Sequence, residues 1–195
     1  EEQGYDFLDR YGGKVSSEFL VPKAWQILDE DPEIYAAADK LIEAADWVVW
    51  QLTGNETRNV TTAGYKGMWS KQHGFPPDEF FKALDPRLEN FIDEKLSRDI
   101  WELSSRAGGL TAEAAAWMGL RPGTAVAVGI IDAHSAVPAA TVTGPGRMVI
   151  IMGTSNCHMV LGEEERIVPG MCGYVQDGIV PGFYGYEAGQ ACVGD

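Results

Sequence analysis

Two apolar runs, each emptying into a small polar cluster, constrain this chain more than any other feature. The first, Ala125 to Ile131, is apolar and β-branched and reads as a buried strand ending at Asp132. The second, Met148 to Met152, reads as another strand that empties into Gly153, Thr154 and Ser155. Open α/β sheets bind ligands in the crevice outside the carboxyl ends of their strands, where Asp132 is expected. The Gly-Thr-Ser turn offers N–H groups and hydroxyls suited to phosphate oxygens. A proton acceptor at one strand end and a phosphate cradle at another are the parts of a phosphotransferase. Each part has a plainer explanation on its own. An Asp after a strand also serves as the N-cap of the next helix, and Gly-Thr-Ser is also an ordinary turn.

The 195 residues suffice for one large domain or parts of two, and a 45% hydrophobic content is ample for a core. A formal charge of −14 argues against nucleic acid, whose phosphates demand Lys and Arg. No apolar run reaches membrane-spanning length, and no basic, apolar leader opens the sequence. Three cysteines, Cys157, Cys172 and Cys192, form an odd set that suggests reduced thiols and a cytoplasmic protein. Cys157-His158 beside Cys172 does not have zinc-ligand spacing, and neighbours on a strand face opposite ways. No metal-ligating residue is assigned. The chain opens on Glu-Glu-Gln and closes on Gly-Asp, and it is expected to be part of a longer polypeptide.

Residues 16–30 read as a helix with Leu20, Ala24, Ile27 and Leu28 on one stripe. Asp31-Pro32 is a cap followed by proline at the first helical position. Residues 44–53 form a second helix, with Ala45, Val48, Val49 and Leu52 at helical spacing and Gly54 as its stop. The small, polar stretch 55–75 suits a loop lining a cleft. Residues 76–119 look helical in pieces, broken at Pro86, near Ser97 and at Gly108-Gly109. Thr111 caps a segment from Ala112 to Met118, which Gly119 ends. A small-residue helix runs from Asp132 through Ala140, and Gly144-Pro145-Gly146 makes a turn. Short strands with Gly and Pro turns follow. A mixed α/β part thus gives way to a β-rich part, which places a boundary between residues 1–143 and 144–195, with Asp132 and Gly153-Thr154-Ser155 facing across a cleft.

Read in order, Lys23-x-Trp25, Asp46…Leu52-Thr53-Gly54, Gly129…Asp132-Ala133-His134 and Gly153-Thr154-Ser155 resemble the FGGY carbohydrate kinases. Within them, AGYKGMWS, DAHSAVPA, MGTSNCHMVLGEEERIVPGMCGY and GYEAGQACVGD are similar to the bacterial branch acting on L-ribulose. The resemblance covers essentially the whole chain. It implies an α/β, actin-like, ribonuclease-H-like kinase fold of two domains. Residues 1–143 would be the second half of the sugar-binding domain, and 144–195 the start of the nucleotide-binding domain. It implies ATP-dependent conversion of L-ribulose to L-ribulose 5-phosphate in L-arabinose breakdown, with Mg²⁺ as the ion. Small-molecule partners follow, with self-association of the full-length enzyme open. The family's Asp-x-Gly-Thr phosphate loop and later adenosine-binding segment lie outside the sequence, so the isolated chain is expected to be inactive.

The resemblance also assigns roles. Asp132 becomes the general base, taking the proton of a sugar hydroxyl as its bond to phosphorus forms. Lys66 and Glu187 become sugar contacts, against plainer explanations as a solvated lysine and an exposed loop glutamate. The glycines around Glu187 let a ligand approach closely. Gly153, Thr154 and Ser155 meet the phosphates of ATP. His134 and His158 each follow a stronger candidate and are expected to support or pack rather than react. Trp47, Trp50 and Trp69 are expected in the core or a cleft wall. A xylulose or glycerol kinase, a glycosidase pairing Asp132 with Glu187, and a non-catalytic sugar-binding domain are the alternatives.

Overall fold

Local capping chemistry sets most of the helices. The computed structural model describes residues 5–191. Helix α1 (Leu20–Glu30) starts four residues later than its apolar pattern suggests. The Ser16 hydroxyl accepts from the Glu18 N–H, and Phe19 is extended, so residues 16–19 turn instead. Asp31 accepts from the Ile34 N–H and starts α2 (Pro32–Ala37) as its residue types demand. Helix α3 (Ala44–Thr53) ends at Gly54, whose φ of 75° is the left-handed C-cap.

After β1 (Arg58–Asn59) comes α4 (Val60–Gly67), where composition suggests a loop. The correction has a physical cause. Asn59 caps α4 by accepting from the Thr62 N–H at 2.8 Å. Every residue of α4 except Lys66 is buried. Helix α4 lies between two cores, so its residues must be small. A Cβ at Gly64 would stand 2.5 Å from Val175 Cγ1. Its hydroxyls find partners inside: Thr61 donates to the Gly178 carbonyl and Thr62 to Asp46.

Helices α5 (Asp78–Leu84) and α6 (Phe91–Lys95) follow. They close an aromatic core with α1 and α2 around Phe81, Leu88, Phe91 and Ile92. The region to residue 119 is not wholly helical: β2 (Ile100–Trp101) pairs in parallel with β1, and β3 (Arg106–Gly109) occupies the Gly108-Gly109 break. A Cβ at Gly108 would meet Asn55 Nδ2 at 2.8 Å, so close packing rather than a turn requires that glycine. Helix α7 (Ala112–Met118) keeps its Thr111 cap and its Gly119 stop.

Strand β4 covers only Ala125–Ala127, is largely exposed, and pairs with β3 alone among the described residues. The expected buried strand through Ile131 is therefore shorter, because residues 128–131 run without a ladder partner, and the exposed part is 125–127, while Val128 is buried. Helix α8 (Asp132–Ala139) comes next. The rest is an antiparallel sheet of β5 (Met148–Met152), β6 (Asn156–Gly162), β7 (Gly173–Gln176) and β8 (Tyr184–Gln190) in the order β5-β6-β8-β7. Its inner face packs Met159, Leu161 and Val175 against Val60 and Tyr65 of α4 and Val137 of α8. Strand β5 is an edge, with Met148, Ile150 and Met152 exposed on one face.

The stripe on α3 is not the one its apolar residues suggest. Val48 is exposed, as are Trp47 and Trp50, which therefore belong neither to the core nor to a wall of the clefts described below. Asp46, Val49 and Thr53 face inward. Trp69 packs on the sheet core as expected. No helix among the described residues is long and apolar enough to cross a membrane.

Candidate functional site

Two elements bring the sugar-contact candidates together. Lys66 stands in the last turn of α4 rather than in a loop. It is the helix's only residue that is not buried, because it points away from both cores. Its Nζ lies 3.6 Å from the Glu43 carboxylate. Glu187 lies inside β8 rather than in a turn, paired with Met159 on one side and Gly173 on the other. Both residues line an open cleft of about 460 Å³, together with Tyr11, Phe19, Ile131 and Cys172.

The glycines beside Glu187 serve the chain's own packing. A Cβ at Gly185 would meet Ile179 at 2.5 Å and the Tyr65 hydroxyl at 2.6 Å. One at Gly189 would meet the Cys172 sulfur at 2.9 Å. They admit protein side chains, whereas composition suggests room for a ligand.

Glu187 is neither exposed nor alone. Its Oε2 lies 2.9 Å from Nε2 of His134, a histidine with no exposure at all. His134 belongs to α8 and packs against the Tyr65 ring at 4.3 Å between centroids. Burial pushes the Cys157 thiol up, and the nearby Glu187 and Asp132 carboxylates add to the shift. Burial raises Cys172 as well, with Glu187 again contributing. Both are free thiols, and Cys192 lies outside the described residues. His158 pairs with Ile150 and Ala188 on β6, one residue from Cys157 and on the other face of the strand.

Asp132 is the first residue of α8, not the last of a strand, and it is exposed. It is not the N-cap either. That position is Ile131, and no side chain caps the helix. The Asp132 backbone carbonyl accepts from the Ser135 hydroxyl at 2.7 Å. Its neighbour Ile131 lines the same cleft as Lys66 and Glu187.

Gly153, Thr154 and Ser155 form the exposed tip of the β5–β6 hairpin, closed by the Gly153 N–H on the Ser155 carbonyl at 3.1 Å. A Cβ at Gly153 would meet nothing nearer than that carbonyl, at 3.5 Å. The chain's own packing does not demand this glycine. No group of three or more His, Cys, Asp or Glu able to hold a metal occurs among the described residues.

Asp46 stands in the motif order that carries the resemblance, but the sequence assigns it no role; it is nearly inaccessible. It accepts from the Asn59 N–H at 3.1 Å and from the Asn59 amide at 2.7 Å, and Asn59 caps α4. A buried carboxylate on α3 thereby fixes the helix that carries Lys66. The signal was present as an Asp on the apolar side of a helix, but its partner lies in a segment that looked irregular.

Residues 5–138 match the N-terminal domain of the FGGY family of carbohydrate kinases, and residues 148–195 match its C-terminal domain. The ribulokinase of Shouchella clausii is 62% identical over 195 residues, covering 100% of this chain and 35% of that protein. The ribulokinase of Anoxybacillus flavithermus is 60% identical over 194 residues, covering 100% and 34%. The chain thus spans about a third of the length of the curated relatives it matches. The solved xylulose kinase from Rhodospirillum rubrum superposes with a TM-score of 0.80 at 22% identity, over 98% of this chain and 38% of that one. Plasmodium falciparum glycerol kinase with ADP superposes at 0.69 and 18% identity, over 97% and 38%. The fold is the actin-like one of the FGGY sugar kinases, as the sequence motifs imply.

Proposed function

The chain belongs to the FGGY family of carbohydrate kinases, and we propose that the full-length protein transfers the γ-phosphoryl of ATP to L-ribulose, giving L-ribulose 5-phosphate and ADP. The supporting observation is the cleft where Lys66 of α4 and Glu187 of β8 meet beside the start of α8. A lysine offers three donors to hydroxyl or carbonyl oxygens, and a carboxylate accepts from hydroxyls. Asp132 is the general base. A sugar hydroxyl is a weak nucleophile while protonated, and the carboxylate at the head of α8 takes that proton as the new O–P bond forms. Gly153, Thr154 and Ser155 receive phosphate oxygens at the hairpin tip. Mg²⁺ would neutralise phosphate charge, held mainly by ATP.

The division between sugar-binding and nucleotide-binding parts is placed at residues 143 and 144, in the connection between α8 and β5. L-Arabinose breakdown in the cytoplasm is the setting that fits a ketopentose, ATP and the free thiols of Cys157 and Cys172. Identities of 53–62% to several ribulokinases favour L-ribulose over other acceptors.

A coupled ADP assay on a full-length protein carrying this chain tests the assignment. Sugar-dependent ADP release is expected with kcat/KM for L-ribulose at least about tenfold above D-xylulose and glycerol, the discrimination that one or two pocket contacts provide. Equal or greater kcat/KM with D-xylulose or glycerol would move the protein to another acceptor. Sugar binding without ADP release would leave a non-catalytic binding domain.

A further inference from the structure

The three candidate residues stand on three different elements, and three contacts around Tyr65 and His134 join those elements. Tyr65 precedes Lys66 on α4. His134 follows Asp132 by two residues on α8. Glu187 is on β8. The Tyr65 ring packs on the His134 ring, His134 Nε2 meets Glu187 Oε2 at 2.9 Å, and the Tyr65 hydroxyl donates to the Gly185 carbonyl at 2.6 Å. Tyr65 and His134 are both essentially inaccessible.

The proton on His134 can be placed from this geometry. A carboxylate only accepts, so Nε2 carries the proton and donates it to Glu187. Nδ1 is buried with no partner among the described residues, so the Nε2 contact is the ring's one side-chain hydrogen bond. One oxygen of Glu187 is thus occupied from below. The carboxylate also faces the Cys157 thiol and lines the cleft.

We propose that His134 is a positioning residue for sugar binding: it holds Glu187 by one carboxylate oxygen and, with Tyr65, sets the spacing of the elements that carry Lys66, Asp132 and Glu187. The proposal rests on the assignment of this cleft to the sugar. A free carboxylate would sample several rotamers and lose entropy on meeting a hydroxyl. Held by His134, it presents one oxygen in one place.

Steady-state kinetics of His134→Leu, His134→Asn and His134→Gln in the full-length kinase test it. Glutamine can place its amide nitrogen near the position of Nε2, and asparagine is too short. Leu and Asn should raise the KM for ketose roughly tenfold, the loss expected when one buried hydrogen bond is removed, with KM for ATP within about twofold of wild type. Gln should recover ketose KM to within about threefold of wild type. In a Glu187→Ala background, His134→Leu should add little, because the carboxylate that His134 holds is gone. Should the Leu variant fail to fold, the comparison of Gln with Asn decides. Equal losses in Gln and Asn, or ketose and ATP KM rising together, would reduce His134 to packing and overturn the proposal. Wild-type ketose KM in Leu and Asn, with a raised KM in Glu187→Ala, would overturn it while leaving the sugar site intact. An unchanged ketose KM in Glu187→Ala itself would remove the sugar site and the proposal with it.

Discussion

Replacing Asp132 by asparagine is expected to lower turnover of the full-length kinase by about 10²–10⁴-fold, the usual contribution of a general base. Asparagine keeps the size of the side chain and can still hydrogen-bond a hydroxyl, but it cannot take the proton. The Asp132 side chain is exposed and caps nothing, so the substitution should leave stability nearly unchanged. Sugar KM should move little, because the interaction lost belongs to the transition state rather than to the ground state. Single-turnover measurements isolate the chemical step. Turnover within about threefold of wild type, far below the usual worth of a base, would return Asp132 to an ordinary helix-start residue.

A second large effect is expected on stability. Asp46→Ala removes the acceptor for the Asn59 N–H and the Asn59 amide, both in fully buried surroundings. Each orphaned buried donor costs about 1–3 kcal/mol, so a loss of about 3 kcal/mol is expected. Asn59 also caps α4, and the damage should spread to Lys66 and reduce sugar affinity. Asp46→Asn is the contrasting case. Burial lifts the Asp46 carboxyl above the ordinary carboxylate range, outweighing the hydrogen bonds from Asn59 and the nearby Arg58 charge that pull it down. A carboxyl whose pKa is higher folded than unfolded stabilises the fold at low pH, and that contribution fades as pH rises through the folded value. Asp46→Asn carries no such charge. Its stability relative to wild type should therefore improve as pH rises from about 4, near the unfolded carboxyl value, toward 7. Denaturant unfolding across that range reads both effects. A wild-type protein that gains on Asp46→Asn with rising pH would show that the hydrogen bonds to the carboxylate outweigh its desolvation.

Elements with local punctuation were legible in the sequence. Helix α7 declared itself by Thr111 and Gly119, α3 by Gly54, and β5 by its β-branched run between a Gly-Pro-Gly turn and Gly-Thr-Ser. Where distant contacts set the composition, reading failed. Helix α4 looks like a loop because Thr61, Thr62, Ala63 and Gly64 are the sizes that fit between two cores. The glycines around Glu187 suggest a turn, yet they make room for Tyr65, Ile179 and Cys172 across a sheet. Residues 128–131 carry strand-forming side chains but no ladder partner, so the apolar run overstated β4. For the site, the motif order supplied Lys66, Asp132 and Glu187 by resemblance. The contact of His134 with Glu187, 53 residues apart, has no local signature.

Sugar recognition is assigned to the cleft lined by Lys66 of α4 and Glu187 of β8. Calorimetric titration of L-ribulose into the full-length protein and its Lys66→Ala and Glu187→Ala variants tests it most directly. Each variant removes a polar partner from a desolvated ligand, so the sugar Kd should rise about 5–150-fold while the ATP Kd stays put. Unchanged sugar affinity in both variants would return Lys66 to the surface and Glu187 to the fold, and the cleft would not be the sugar site.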